Sequence, residues 1–199
     1  MNQNRVEVAL TGGIGCGKSE VACFWTAAGI HVLDTDQTAH HLMEPGQPVY
    51  RQIVESFGEE ILRPDGQIDR RALGDIVFSN PEMLEILNRI VHPVVREEWQ
   101  HWVKVRREHL ESAVVSIPLL FEVGATKGWG AIVCISAPEK IVIDRLQKRG
   151  LSKDTALRRI RAQLPLEEKR RRSDYVINND QTLEILEKRA MNTWQMISK

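Results

Sequence analysis

The chain has 199 residues and a net charge of zero, and 42% of its residues are hydrophobic, which is enough for one packed α/β domain with an insertion. No apolar run approaches the ~20 residues of a membrane span, and the polar start MNQNR is unlike a signal peptide. The three cysteines form no C-x-x-C pair, which favours a reducing, cytoplasmic setting over a disulfide scaffold or a zinc site.

The first predicted strand, Arg5–Leu10, runs into a glycine-rich loop that is followed by a helix near Lys18–Ala28. The loop, Gly12–Ser19, satisfies the pattern G-x-x-x-x-G-K-[ST]. Glycines let the backbone bring its N–H groups against phosphate oxygens, and the N-terminus of the next helix adds partial positive charge. A strand, this loop and a helix in that order predict a binding site for a nucleoside triphosphate.

The residues of the loop have separate expected roles. Lys18 is placed to reach the β- and γ-phosphates, and the Ser19 hydroxyl is a candidate ligand for Mg²⁺. We expect the backbone N–H of Glu20 to face the α-phosphate and its side chain to point away. Cys16 is interpreted as a small loop residue, with sensitivity to oxidation as the alternative. The predicted ATP-binding residues of this region are Gly13, Ile14, Gly15, Cys16, Gly17, Lys18, Ser19 and Glu20.

A second strand, Ile30–Leu33, ends at two carboxylates, Asp34 and Asp36. Doubly wound sheets bind ligands at the carboxyl ends of their strands, so one of these acids is a candidate base or metal-associated group. The alternative is that one of them only caps the helix predicted to start near Gln37.

The third strand, Ala113–Ile117, begins roughly 75 residues after Asp36, whereas a crossover needs only about a dozen. The intervening sequence has mostly helical periodicity, and Pro93 is expected to kink or end the last helix. We interpret it as an insertion that binds a second substrate. The predicted helices are Gln37–Met43, Pro48–Phe57, Arg70–Phe78 and Pro81–Glu111.

The end of the third strand lacks the acid of a generic P-loop ATPase, because no carboxylate occurs before Glu122. Asp36 therefore becomes more important as a candidate. The elements predicted after this point are the strand Ala131–Ser136, the helix Pro138–Arg149, a basic helical segment, the strand Tyr175–Ile177 and the helix Thr182–Ser198.

The basic segment, residues 145–172, carries a net charge of +8, which leaves −8 on the rest of the chain. It could be a solvated helical hairpin, a nucleic-acid patch, or a lid whose arginines neutralise a triphosphate. The phosphate loop favours the lid. The segment contains no aromatic residues, which weakens the case for single-stranded nucleic acid.

The class of P-loop protein is narrowed by two missing motifs. The chain has no N-K-x-D for reading guanine and no L-S-G-G-Q of transporter ATPases. A helical insertion and an arginine-rich lid suit a small-molecule kinase, which closes over two substrates and excludes water.

Taken together, the motifs resemble those of the dephospho-coenzyme A kinase family. They are TGGIGCGKS, VLDTD at 32–36, EPGQPVY at 44–50, HP at 92–93, PLLFE at 118–122, AQ at 162–163 and YVINND at 175–180. The resemblance covers nearly the whole chain in order. It implies transfer of the γ-phosphoryl group of ATP to the ribose 3′-hydroxyl of dephospho-CoA, with Mg²⁺, as the last step of coenzyme A synthesis.

The resemblance also implies roles for individual residues. Asp36 matches the base that receives the hydroxyl proton, a role that the chemistry requires. Lys18 matches the catalytic loop lysine. Arg149 matches the arginine that enters the lid, with catalytic and ATP-binding roles, and Arg159 matches an ATP-binding arginine before the AQ pair.

On the acceptor side, the resemblance assigns His92 to the helical domain near the acceptor and Leu119 and Leu120 to the acceptor pocket. The chain departs from the family at two positions. Glu20 replaces the usual Ser or Thr, so only its backbone is expected to contact phosphate. His40 replaces the usual Arg, so a fixed charge becomes a group that titrates near neutrality, and binding of the acceptor phosphate becomes weaker or pH-dependent.

The predicted fold is an α/β P-loop kinase with a five-stranded parallel sheet flanked by helices. The expected parts are a core of 1–36, 112–148 and 173–199, an insertion of 37–111 and a lid of 149–172. The expected substrates are ATP and dephospho-CoA, without nucleic acid or membrane, for a monomer or weak homo-oligomer. Three alternatives remain: a nucleoside monophosphate kinase, a non-catalytic ATP-dependent switch, and an RNA-binding protein.

Overall fold

The computed structural model describes residues 5–199, apart from the side chain of Phe78, so the first four residues of the predicted core lie outside the described residues. Its central feature is a parallel sheet of five strands in the order β2-β3-β1-β4-β5. This architecture confirms the predicted fold class. The strands are β1 (Glu7–Gly12), β2 (His31–Asp34), β3 (Ala113–Ser116), β4 (Ala131–Ser136) and β5 (Tyr175–Asn178).

Helices occupy most of the remaining described residues, and a short 3₁₀ helix at Glu59–Ile61 was not predicted. None of the helices within residues 5–199 has the length and apolar character needed to cross a bilayer. The helices are α1 (Lys18–Ala27), α2 (Thr35–Leu42), α3 (Pro48–Phe57), α4 (Arg70–Ser79), α5 (Pro81–Glu108), α6 (Glu139–Lys148), α7 (Lys153–Arg161), α8 (Leu166–Arg171) and α9 (Leu183–Ile197).

Local side-chain caps fix the start of several helices. The Asp69 carboxylate accepts hydrogen bonds from the first backbone N–H groups of α4, and the Ser152 and Thr182 hydroxyls do the same for α7 and α9. Each cap satisfies a donor that a helix N-terminus leaves unpaired. The predicted helix starts at Arg70, Ser152 and Thr182 therefore fall within one residue of the observed ones.

Two helical features refine the sequence prediction. Helix α5, Pro81–Glu108, agrees with the predicted helix Pro81–Glu111, and Pro93 does not end it although proline removes one backbone hydrogen bond. Apolar residues on both sides of Pro93, including Val91 and Val94, pack into one cluster, and this packing offsets the loss. Helix α2 begins at Thr35, so Asp36 lies inside its first turn rather than before it.

The chain divides into two compact units, each with its own hydrophobic cluster. One unit comprises Met1–Asp34 and Val103–Lys199 and contains the sheet. In its core Trp25 and Trp194 pack at 5.6 Å between ring centroids, and the Trp25 Nε1–H donates to a backbone carbonyl of α9. The other unit, Thr35–Trp102, is helical and packs around residues such as Ile53, which has no exposed surface.

Candidate active site

The phosphate loop spans the end of β1 and the start of α1. Gly12 is the last residue of β1, and Gly17 precedes α1 in a left-handed conformation with φ 103°. The Cys16 N–H donates to the Gly13 carbonyl at 3.2 Å, which closes the turn. Because the loop leads directly into a helix of ten residues, its concave side receives the positive end of the helix dipole.

Glycine is required at two positions of this loop, Gly12 and Gly17, because both have a positive φ and both lie against another segment. A β-carbon on Gly12 would collide with the backbone carbonyl of Ile135 on the neighbouring strand. A β-carbon on Gly17 would collide with the amide of Asn179, and the backbone there has a positive φ. The loop is therefore packed closely against β4 and the residue that follows β5.

Arg145 and Asn179, which are distant from the loop in sequence, donate hydrogen bonds to its carbonyl groups. The Arg145 guanidinium donates to the Gly15 carbonyl at 3.2 Å and to the Asn179 side-chain oxygen at 3.0 Å. The Asn179 amide, which is 3% exposed, donates to the Cys16 carbonyl at 2.8 Å. Because donors bind these two carbonyls, the loop keeps backbone N–H groups that can bind an anion, apart from those of Ile14 and Cys16, which donate to Gln163 and Gly13.

The polar residues at the start of α1 complete the loop. Lys18 Nζ donates to the Gly12 carbonyl at 3.4 Å, so its ammonium group reaches back across the loop. Ser19 lies exposed in the first helical turn. The Glu20 carboxylate follows Ser19, and its Oε2 atom is buried without a hydrogen-bond partner among the described residues.

The metal-ligand candidate near the loop is the Ser19 hydroxyl, which suits a divalent ion that takes its other ligands from a nucleotide and from water. Within the described residues, no group of three or more His, Cys, Asp or Glu side chains could hold a metal by itself. Mg²⁺ usually takes few protein ligands and completes its octahedron with waters and substrate phosphates. The exposed Ser19 hydroxyl beside the phosphate loop fits that type of coordination.

The thiol of Cys16 is buried within the loop. Cys16 is 1% exposed, and burial raises its pKa above the ordinary thiol value. Burial also raises the pKa of Cys134 on β4 to about 11. Because the thiolate is the reactive form, the structure favours the interpretation of Cys16 as a small packing residue over a redox role.

The basic segment forms α7 and α8, which follow Arg149 at the end of α6. Arg149 and Arg159 both have exposed side chains. Between the two helices, the Gln163 side-chain oxygen accepts from the Ile14 N–H of the phosphate loop at 2.9 Å. The base of the predicted lid is therefore attached directly to the loop.

The turn after β3 contains the two leucines predicted to contact the acceptor. Leu120 has no exposed surface and belongs to the interior, whereas Leu119 is partly exposed. Glu122, the first acid after β3, accepts from Lys169 Nζ at 2.8 Å and from the Leu164 N–H at 2.9 Å. Its carboxylate is thus bound to residues of the predicted lid.

In the helical unit, Asp36 and His40 are one turn apart on α2, so they share a face, and both are exposed. His92 lies on α5, where partial desolvation and the charge of Arg96 lower its pKa and favour the neutral imidazole. A cavity of about 380 Å³ lies beside α2. Its lining includes His40, Met43, Arg63, Arg70 and Arg71.

Sequence reasoning did not identify Arg145 or Asn179 as site residues. They are separated from the loop by 130 and 163 positions, and a pattern within one segment cannot show a contact over that distance. The only available signal was that Asn179 lies in the YVINND motif.

Comparison with known proteins decides which kinase family contains this site. Residues 6–184 match the family model for dephospho-CoA kinase. The chain belongs to the dephospho-CoA kinase family. It is therefore an ATP-dependent kinase of coenzyme A biosynthesis, and the resemblance that its motifs predicted is confirmed.

Individual relatives support the same family. The chain is 43% identical to a Bacillus cereus dephospho-CoA kinase over 180 residues, which cover 89% of this chain and 90% of the relative. The crystal structure of TT1252 from Thermus thermophilus matches with a TM-score of 0.80 and 34% identity, covering 98% of each chain. A dephospho-CoA kinase structure from Campylobacter jejuni matches with a TM-score of 0.71 and 27% identity, covering 96% of each chain.

Proposed function

We propose that this family member transfers the γ-phosphoryl group of ATP to the ribose 3′-hydroxyl of dephospho-CoA. The observation that carries the proposal is the phosphate loop with its carbonyls held back by Arg145 and Asn179, in a chain that matches the family over residues 6–184. In the reaction, the acceptor oxygen forms a bond to the γ-phosphorus while the bond from that phosphorus to the β,γ-bridging oxygen breaks. ADP leaves, and the hydroxyl proton goes to a base.

ATP binds at the phosphate loop in this proposal. Within Gly13–Glu20, the backbone N–H groups other than those that donate to Gln163 and Gly13 hold the phosphates together with the Lys18 ammonium, and Ser19 holds Mg²⁺. When bound, Mg²⁺ supplies charge that neutralises the β- and γ-phosphates. Arg149 and Arg159, from the lid, add positive charge where the transferring group is most negative.

Asp36 is the proposed base. Its position in the first turn of α2 supports this role, because the positive end of a helix stabilises a carboxylate and keeps it ready to accept a proton. Its exposure allows contact with a substrate. It also follows the carboxyl end of β2 by two residues, which is the edge of an α/β sheet where ligands bind.

The acceptor is proposed to bind to the helical insertion and to the turn after β3. His40 and the three arginines of the neighbouring cavity offer donors for the phosphates of dephospho-CoA. His92 lies in the same unit, and Leu119 offers partly exposed apolar surface. Leu120 would support the pocket from the interior, since it is fully buried.

This proposal includes the organisation and setting of the protein. Residues 37–111 are the acceptor-binding insertion, 149–172 are the lid, and the remainder is the kinase core. The protein acts in the cytoplasm as a monomer or weak homo-oligomer, with small molecules rather than nucleic acid as partners.

A direct assay tests the proposal. We expect the purified chain with ATP and Mg²⁺ to form ADP when dephospho-CoA is added, and the CoA product to carry its new phosphate at the ribose 3′ position by ³¹P NMR. AMP and other nucleoside monophosphates serve as alternative acceptors, and the Lys18→Ala variant controls for contaminating kinases. Turnover with a nucleoside monophosphate but not with dephospho-CoA would overturn the proposal.

A further inference from the structure

A buried lysine in α8 has no role in the mechanism described above. The Lys169 side chain is 0% exposed, and its ammonium group donates to the Glu122 carboxylate at 2.8 Å and to the Pro118 carbonyl at 3.0 Å. Removing a charged group from water is costly unless it is paired and hydrogen-bonded. Both partners lie in the turn after β3, which is residues 118–122. The buried ammonium group of Lys169 is therefore stabilised by groups of this one turn. The same contacts hold the turn against the lid segment.

The Pro118 carbonyl and the Glu122 carboxylate also accept hydrogen bonds from other parts of the site. The Pro118 carbonyl accepts from the Thr11 hydroxyl at 3.3 Å, and Thr11 is the buried residue just before the phosphate loop. Glu122 Oε1 accepts from the Leu164 N–H, which follows the residue that binds the phosphate loop from the lid. The Pro118 carbonyl and the Glu122 carboxylate thus connect the turn 118–122 to the end of β1 and to residues 164–172 of the lid.

A further contact fixes the same segments to each other. The Arg172 guanidinium lies 4.6 Å from the centre of the Phe121 ring, and Phe121 is largely buried. A cation over an aromatic face is attracted by the ring quadrupole. The turn that carries Leu119 is therefore attached to the lid segment at Pro118, Phe121 and Glu122 and cannot shift independently of it.

We propose that Lys169 and Glu122 are positioning residues, and that the ion pair of the buried Lys169 ammonium with the partly exposed Glu122 carboxylate couples the acceptor turn to the lid and so sets the alignment of acceptor and ATP. The inference depends on the proposed function, because it concerns the geometry of that transfer. Neither residue touches a substrate in this proposal. Phosphoryl transfer is sensitive to the separation of the reacting atoms, and a displacement of about 1 Å can cost about a hundredfold in rate.

The test separates positioning from stability by removing the Glu122 charge alone and then both charges together. Glu122→Gln leaves a buried ammonium without its carboxylate, so it should lower the Tm. In the double variant Lys169→Met/Glu122→Gln no buried charge remains, and we expect the Tm to recover to near that of the unaltered protein. The amide in place of Glu122 can still accept from the Leu164 N–H, while the bridge from α8 to Pro118 is lost.

We expect the double variant to be folded but to align the acceptor and ATP poorly. The double variant should keep its ATP Kd within about twofold, lose about tenfold or more in kcat for transfer, and show a higher ratio of ATP hydrolysis to transfer, because a loosely aligned acceptor admits water. Glu122→Asp keeps the charge but shortens the side chain, and should show the same changes to a smaller degree. Arg171→Met, which removes a surface ion pair with Glu168 from the same helix, is the matched control.

The inference is overturned if the double variant has both kcat and the hydrolysis ratio within about twofold of the unaltered protein. If the double variant does not fold, unchanged kinetics of Glu122→Asp would overturn it in the same way. Absence of dephospho-CoA phosphorylation by the unaltered protein would instead contradict the proposed function, so the two failures are distinguishable.

Discussion

Single residues from outside the phosphate loop determine which way its peptide groups face. Arg145 and Asn179 together engage the carbonyls of Gly15 and Cys16, and Asn179 is itself fixed because its backbone N–H donates to the Ser136 carbonyl at 2.7 Å. A preorganised set of donors costs no reorganisation when the charged ligand arrives. The anion site is therefore a property of the fold as much as of the loop sequence.

Asp36 can be tested against its neighbour Asp34. Replacing Asp36 with Asn should lower kcat by about 10²–10⁴-fold, since the variant loses the group that accepts the hydroxyl proton, while the ATP Kd stays nearly constant. Steady-state kinetics with dephospho-CoA and calorimetric titration with ATP give the two quantities. Asp34→Asn is the matched control at the end of β2. If Asp36→Asn keeps its kcat, the base lies elsewhere and Asp36 has only a local role in the helix.

His40 predicts a pH dependence of acceptor binding. Only a protonated imidazole attracts a phosphate, and imidazoles in general lose their proton near neutral pH, so the acceptor KM should rise from pH 6 to pH 8 if His40 binds the acceptor phosphate. His40→Arg should remove this rise and lower the KM at pH 8. His41→Arg, next along α2, is the control. A flat KM for the unaltered protein that His40→Arg leaves unchanged would contradict the prediction.

The three thiols should react at very different rates. Cys23 is exposed, whereas Cys16 and Cys134 are buried with a raised pKa, so at a given pH they have a smaller thiolate fraction. We expect one fast-reacting thiol per chain with an aromatic disulfide reagent at pH 8, and three in denaturant. Cys23→Ser should abolish the fast phase. Rapid modification of Cys16 in the folded protein would restore the redox interpretation.

At the scale of elements, the close contact of β1 with β4 determines where the loop can turn. Gly12 is paired with Ile135 in the sheet and is also the first residue of the phosphate loop. Its backbone therefore belongs to both the sheet and the loop. The lid is attached at a second point through Gln163, and the turn after β3 at a third through Lys169. The ATP site is thus assembled from the ends of separate elements rather than from one.

Alanine substitutions at two glycines should separate crowding from conformational strain. Gly12→Ala places a methyl group against the Ile135 carbonyl and should lower the free energy of unfolding by more than about 2 kcal/mol. Gly29→Ala meets open space and carries only the left-handed strain, about 1–2 kcal/mol. Urea unfolding followed by circular dichroism measures both. Equal losses in the two variants would show that crowding at Gly12 is unimportant.

At the scale of the whole molecule, two hydrophobic clusters stabilise two compact units of one chain. The sheet unit contains the phosphate loop, and the helical unit contains Asp36, His40 and His92. In the proposed mechanism, the two substrates are therefore recognised by surfaces that belong to units with separate hydrophobic cores. It also predicts that damage to one core affects one substrate more than the other.

Ile53→Ala should show this separation. Removing a fully buried side chain from the helical cluster should cost about 2–5 kcal/mol in that unit and raise the acceptor KM, because the helices that are proposed to bind the acceptor lose packing. The ATP Kd should change by less than about threefold at a temperature where the protein is folded. Met196→Ala, at a 52% exposed position, is the control. A loss of ATP affinity equal to the loss of acceptor affinity would contradict the division.

The sequence by itself determined the features that depend on neighbouring residues. It predicted the phosphate loop from Gly12–Ser19, the five parallel strands from their apolar runs, and the family from the order of its motifs. The helix starts near Arg70 and Thr182 were predicted from local periodicity, whereas the caps at Asp69 and Ser152 were not predicted, although each binds N–H groups only two or three residues away.

Only the tertiary structure decided the features that depend on distant contacts. It showed that α5 continues through Pro93, because apolar packing on either side outweighs one missing hydrogen bond. It also identified Arg145 and Asn179 behind the loop and the pair of Lys169 with Glu122. These contacts join residues between 34 and 163 positions apart. A local pattern carries no information about which side chains folding brings to the same carbonyl group or carboxylate.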